Sequence, residues 1–162
     1  MLFEVNKIKQ SVKRHLSAIG KRLSDKAGNN VFSNITVSTA EDALLEQYIN
    51  AATQNIETVL RQLVVTYTPA NMTGASTSGP TIEISLINKR NTTDFDARCT
   101  ELASTYIILF VIAEYLAMTH PDIAAKYVTD YSQSMLALSA FAFYKEPPDV
   151  TSMGNPSGSF QQ

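Results

Sequence analysis

Cysteine occurs once in these 162 residues, at position 99, and histidine twice, at positions 15 and 120. A lone thiol forms no internal disulfide, and one cysteine with two distant histidines offers no metal-ligand cluster. Charge is scarce too: Asp, Glu, Lys and Arg make up 17% of the chain, against ~25% in an average soluble domain. Long apolar runs are missing. The most apolar charge-free stretch, Leu102 to Ala113, is short of the ~20 residues that span a bilayer, and Glu114 closes it. Polar and charged groups interrupt Met1 to Leu23 too often for a secretory signal. Together these absences predict a soluble chain with no membrane partner, in a reducing compartment or without a redox role. A phosphate-cradling loop is also lacking, because Gly74 and Gly79 lie in a Ser/Thr-rich connector with neither the lysine nor the following helix such a loop needs.

What is present suffices for one domain: 44% of the residues are hydrophobic, enough to bury a core. Uncharged polar residues, 15 Ser and 16 Thr, take the place of the missing charge. A surface of this kind suits contact with protein neighbours. The charge that exists is unevenly placed. In the first 26 residues seven basic groups (Lys7, Lys9, Lys13, Arg14, Lys21, Arg22, Lys26) face two acidic ones, a net of +5, while the remainder carries −7.

Val5, Ile8, Val12, Leu16, Ile19 and Leu23 recur every three or four residues, predicting an amphipathic basic helix over 1–28 that ends near Gly28. A polar connection through Asn29, Asn30, Ser33 and Asn34 follows, with Val31, Phe32 and Ile35 to pin it. Ser38 and Glu41 have capping-box spacing, and Leu45, Tyr48, Ile49, Ala52, Ile56, Val59, Leu60 and Leu63 continue a second helix. The period then changes. Leu63–Thr68 and Thr81–Ile87 read as antiparallel strands, joined through Pro69–Pro80 into a flexible hairpin arm over 63–88. Asn91 to Asp96 offers caps for a third helix, apolar on most sides and therefore central. His120-Pro121-Asp122 breaks the chain before a fourth helix from about Asp122 to Tyr144, which Pro147-Pro148 stops. The fold class predicted is mainly α: a small four-helix bundle with a β-hairpin arm between helices 2 and 3 and an extended C-terminal tail, the basic first helix occupying 1–28, the rest of the helical bundle with its arm 36–146, and the tail 147–162.

No pattern of catalytic residues converges. His15 at the edge of the first apolar stripe and His120 before a proline read as structural or solvated, Cys99 as a small buried residue, and Glu41, Asp42, Glu46, Asp94 and Asp96 as complements to helix dipoles. Tyr106, Tyr115, Tyr127, Tyr131 and Tyr144 read as packing groups rather than base-stacking ones. The chain is expected to be no enzyme and to hold no cofactor or metal. For the basic face formed by Lys7, Lys9, Lys13, Arg14, Lys21 and Arg22, three readings stay open: a solvated face, a surface turned to DNA or an anionic membrane, and a contact with acidic neighbouring subunits.

The stretch Val37–Leu63, with Asp42, Leu44, Leu45, Ile49 and Ala52 in a D-x-L-L-x-x-x-I-x-x-A pattern, resembles the opening of the head-tail connector, or adaptor, proteins of tailed bacteriophages. The order of elements over about 37–148 agrees in outline. The long basic first helix and the length of the hairpin loop depart from the family. The resemblance implies a homo-oligomeric ring, commonly dodecameric in the family, in the virion neck and assembled in the host cytoplasm. Such a ring docks on the portal protein, meets the next neck or tail protein, and extends a channel through which DNA passes without sequence specificity. It further implies portal contacts from the last helix and tail, here Phe141, Phe143, Tyr144, Val150, Met153 and Phe160. Subunit or channel contacts fall to the hairpin, here Val65, Tyr67, Met72, Ile82 and Ile84.

Overall fold

A computed structural model describes residues 1–22, 39–70, 79–88 and 93–144. The end of the first helix near Gly28, the connection over 29–35, Ser38, Met72 and the tail with Val150, Met153 and Phe160 lie outside the described residues. Within them the protein is mainly helical: α1 (Val5–Arg22), α2 (Thr39–Val59), α3 (Phe95–Thr119) and α4 (Pro121–Phe143), with three short strands, β1 (Leu2–Glu4), β2 (Val64–Thr68) and β3 (Thr81–Leu86). The predicted helical bundle carrying a β-hairpin is therefore observed, with one correction at its start.

The first residues are not helical. Leu2–Glu4 forms a strand antiparallel to β3, pairing Phe3 with Ile82, and the sheet order is β1-β3-β2. Three residues are too few to show a period of two, so only the tertiary partner reveals the strand. Phe3 is buried, and the ladder runs on through Met1, whose carbonyl accepts the Ile84 N–H at 2.9 Å. At the strand-to-helix step the Val5 N–H, one of the donors a helix start leaves open, reaches the Pro80 carbonyl at 3.1 Å. Gly79 precedes that carbonyl with φ +81°, and a Cβ there would meet the Asn6 side chain at 2.2 Å. The positive φ is what favours glycine here, since the Asn6 amide is the end of a flexible side chain and can move aside.

The hairpin is consequently no free arm, since β3 is the middle strand. Its alternation is the one the sequence predicts, Ile82 and Ile84 inward and Glu83 outward, but the inward side chains belong to this chain's own core. That corrects the assignment of Ile82 and Ile84 to a neighbouring subunit. On β2 a bulge between Val64 and Thr66 leaves Val65 63% exposed, while Tyr67 pairs with Ile84 and is half-buried.

The third helix is central, as its apolar composition predicts: α1, α2, α4 and β1 all pack against it. Asp94 stands at its N-cap without a side-chain capping bond; its backbone carbonyl accepts the Arg98 N–H instead. His120 closes α3 and opens α4. Its N–H reaches Leu116 O at 2.6 Å, and its own carbonyl accepts from Ile123 and Ala124 at 3.1 and 3.0 Å, with Pro121 in the first turn. The fourth helix then runs back along α3, burying Ala124, Leu138 and Ala142. Small residues allow the close approach, and rings fill the remainder: Phe95 stacks on Phe141 at 5.9 Å, and Phe110 meets Tyr131 at 5.3 Å.

Candidate interaction surfaces

The basic helix meets its acidic counterpart within the same chain. Lys9 and Lys13 are four residues apart on α1, Asp42 and Glu46 four apart on α2, and the pairs close in antiparallel order. Lys9 Nζ lies 2.6 Å from Glu46 Oε1, and Lys13 Nζ 2.6 Å from Asp42 Oδ1. The first pair is largely covered, with side chains 14% and 25% exposed; the second is about one-third exposed on each side. Equal spacing on both helices was a legible sign of this clasp. The reading of Glu41, Asp42 and Glu46 as dipole complements alone missed it. Glu41 also accepts a hydrogen bond from the Tyr115 hydroxyl at 3.2 Å, so all three carboxylates tie α2 to a neighbouring helix. Lys7 pairs locally with Glu4, Arg14 is exposed, and Lys21 and Arg22 close α1 with side chains outside the described residues.

A second surface lies on α4, which packs chiefly along α3 and turns its other side outward. No residue from Tyr131 to Tyr144 is charged. Val128, Ser132 and Leu136 form an exposed stripe there, Leu136 at 67%. The hydroxyls on this helix turn to their own backbone: Thr129 donates to Ala125 O, and Ser132 to Val128 O at 2.7 Å. These two hydroxyls are thus self-satisfied, and the face from Tyr131 to Tyr144 carries no charged side chain.

Between α4 and the C-terminal half of α2 this face opens into a groove of about 460 Å³. Tyr106 and Tyr131, in edge-to-face contact at 5.9 Å, form an aromatic floor with Met135 beside them. Val59 and Leu136 rise on opposite walls, and Asn55, Thr58 and Ser132 are the polar groups. Asn55 Nδ2 donates to the Tyr106 hydroxyl at 3.3 Å. Burial raises the Tyr106 pKa above the ordinary tyrosine value, against the opposing pull of that hydrogen bond. Burial does the same at Tyr48 and at Tyr115, where the negative charge of Glu41 adds to it. The groove joins helices distant in sequence and escaped the sequence reading; Val59, part of the second helix's apolar repeat, is 44% exposed.

Of the residues expected at a portal, Phe141 is half-buried and stacks on Phe95. Phe143 and Tyr144 are partly exposed where α4 ends. Cys99 is fully buried, and the His15 ring bonds the Ser11 carbonyl one turn back. Among the described residues no three His, Cys, Asp or Glu side chains come together as metal ligands. The stretch Phe95–Met118 is long and apolar enough to cross a membrane by length and composition, with mean hydropathy 1.6, which the shorter charge-free run in the sequence did not suggest. Half of it is buried inside the chain under three other helices, the condition of a core helix.

No family model matches the chain, and neither a curated protein nor a solved structure matches it.

Proposed function

We propose that this chain is a structural subunit of an oligomeric ring in the neck of a tailed bacteriophage, joining capsid to tail and extending the DNA channel below the portal. The observation that carries the reading is the neutral outer face of α4 with its groove. A subunit held between two neighbours and a docking partner needs surface that desolvates cheaply, and an uncharged face with self-bonded hydroxyls does so. In this reading Phe143, Tyr144 and the segment with Val150, Met153 and Phe160 meet the portal, and the exposed Val65 on β2 is available to a neighbour. The ring assembles in the host cytoplasm, catalyses no reaction and binds no cofactor. Electron micrographs of the concentrated protein test it: rings of defined symmetry are expected, and isolated small particles, with or without portal protein, would remove the idea.

A different reading, binding to nucleic acid or an anionic membrane through α1, draws on the +5 charge of the first 26 residues and the exposed Arg14. The clasp to α2 weakens it, because Lys9 and Lys13 already have carboxylate partners. Neutralising Lys7, Lys9, Lys13, Arg14, Lys21 and Arg22 together abolishes binding to DNA or anionic vesicles if this reading holds and leaves it unchanged if it does not.

A further inference from the structure

The groove between α2 and α4 presents apolar surface that is more stable covered than wet. Its lining has no charged side chain, which favours an occupant that buries bulky apolar groups there and no charge. The chain supplies such a segment directly beyond the helix that forms one wall. From Val150 to Gln162 no residue is charged, and Val150, Met153 and Phe160 are spaced by Thr, Ser, Gly, Asn and Pro. We propose that in the unassembled subunit this C-terminal segment occupies the groove of its own chain, with Val150 and Met153 as anchors against Tyr131, Met135 and Leu136.

The lengths agree. At ~1.5 Å per helical residue, Leu136 and Tyr131 lie about 12 and 20 Å back from Tyr144. At ~3.3 Å per extended residue, Val150 reaches about 20 Å from Tyr144 and Met153 about 30 Å, which covers the groove and leaves slack for the reversal. Pro147-Pro148 stands where the chain must turn. The connection over 23–38 is a poorer occupant. It contains Asp25 and Lys26, and it is tethered at Thr39, about 24 Å or more along α2 from Asn55. The inference concerns the single subunit and does not rest on the ring reading; a partner that takes the tail has to draw it out of the groove.

The chain contains no tryptophan, so Leu136→Trp places one reporter on the groove wall of the full-length protein. Its emission and acrylamide quenching are compared with those of the same reporter in a chain also carrying Val150→Ser, Met153→Ser and Phe160→Ser. The native tail should give emission at shorter wavelength and slower quenching, the serine tail a shift to longer wavelength and faster quenching, and neither should change on dilution. Identical spectra and quenching for the two tails overturn the proposal. So does a tail-dependent shift that disappears on dilution, which would give the groove to a second copy. Val59→Trp on the opposite wall repeats the measurement, so that a local effect of replacing Leu136 cannot produce the result. Failure of the protein to form rings would leave this outcome untouched.

Discussion

Lys9 and Glu46 offer the sharpest test of how the basic helix is used. Two unit charges at about 4 Å attract by about 4 kcal/mol at an effective dielectric constant of 20, but desolvation removes much of that. With the Lys9 side chain only 14% exposed, truncating either partner strands the other in a poorly hydrated place. Charge-assisted hydrogen bonds of this kind contribute about 1.5–3 kcal/mol. Lys9→Met or Glu46→Gln should therefore each destabilise the protein by about 2 kcal/mol, with a coupling energy of about 1–2 kcal/mol in the double-mutant cycle. The Lys13–Asp42 pair, about one-third exposed on both sides, should yield less than about 1 kcal/mol. Urea unfolding reads the difference: at about 2 kcal/mol per molar, the Lys9 variants shift the midpoint by about 1 M. Equal, near-zero effects for the two pairs would refute the clasp and return the basic face to solvent or to an external anion.

Two further outcomes follow from burial. Ile84→Ala should cost about 2–5 kcal/mol in the dilute protein, while Val65→Ala should stay within about 0.5 kcal/mol, both read by urea unfolding; a small loss at Ile84 would restore the hairpin as a free arm. Burial raises the pKa of Tyr48, Tyr106 and Tyr115, so the native state keeps protons that the unfolded chain releases near pH 10. Their contribution to stability is complete below about pH 10 and falls as pH rises toward the native values; denaturant midpoints that do not fall between about pH 9 and pH 11 would contradict this.

Helices were readable where apolar spacing and punctuation agreed. The central α3 followed from its near-uniform apolar surface, and the α3–α4 break from His120-Pro121. β1 was not readable, because three residues carry no period and its neighbour β3 lies almost 80 residues away in sequence. The same limit hid the fate of Ile82 and Ile84: alternation marks an inward face but not whose core it enters. The groove required knowing that Val59 on α2, Tyr106 on α3 and Leu136 on α4 share one side of the bundle. The Lys9–Glu46 clasp was legible in principle, from matched four-residue spacings of opposite charge, once α1 and α2 are taken as antiparallel neighbours.

The central claim, a subunit built to stand among copies of itself, is tested most directly by the mass of the protein in solution across a range of concentrations. The account predicts a discrete closed assembly, an integral multiple of 17.8 kDa, that grows in population as concentration rises and does not extend into open filaments. A single 17.8 kDa species at every concentration, unchanged when portal protein is added, would contradict it.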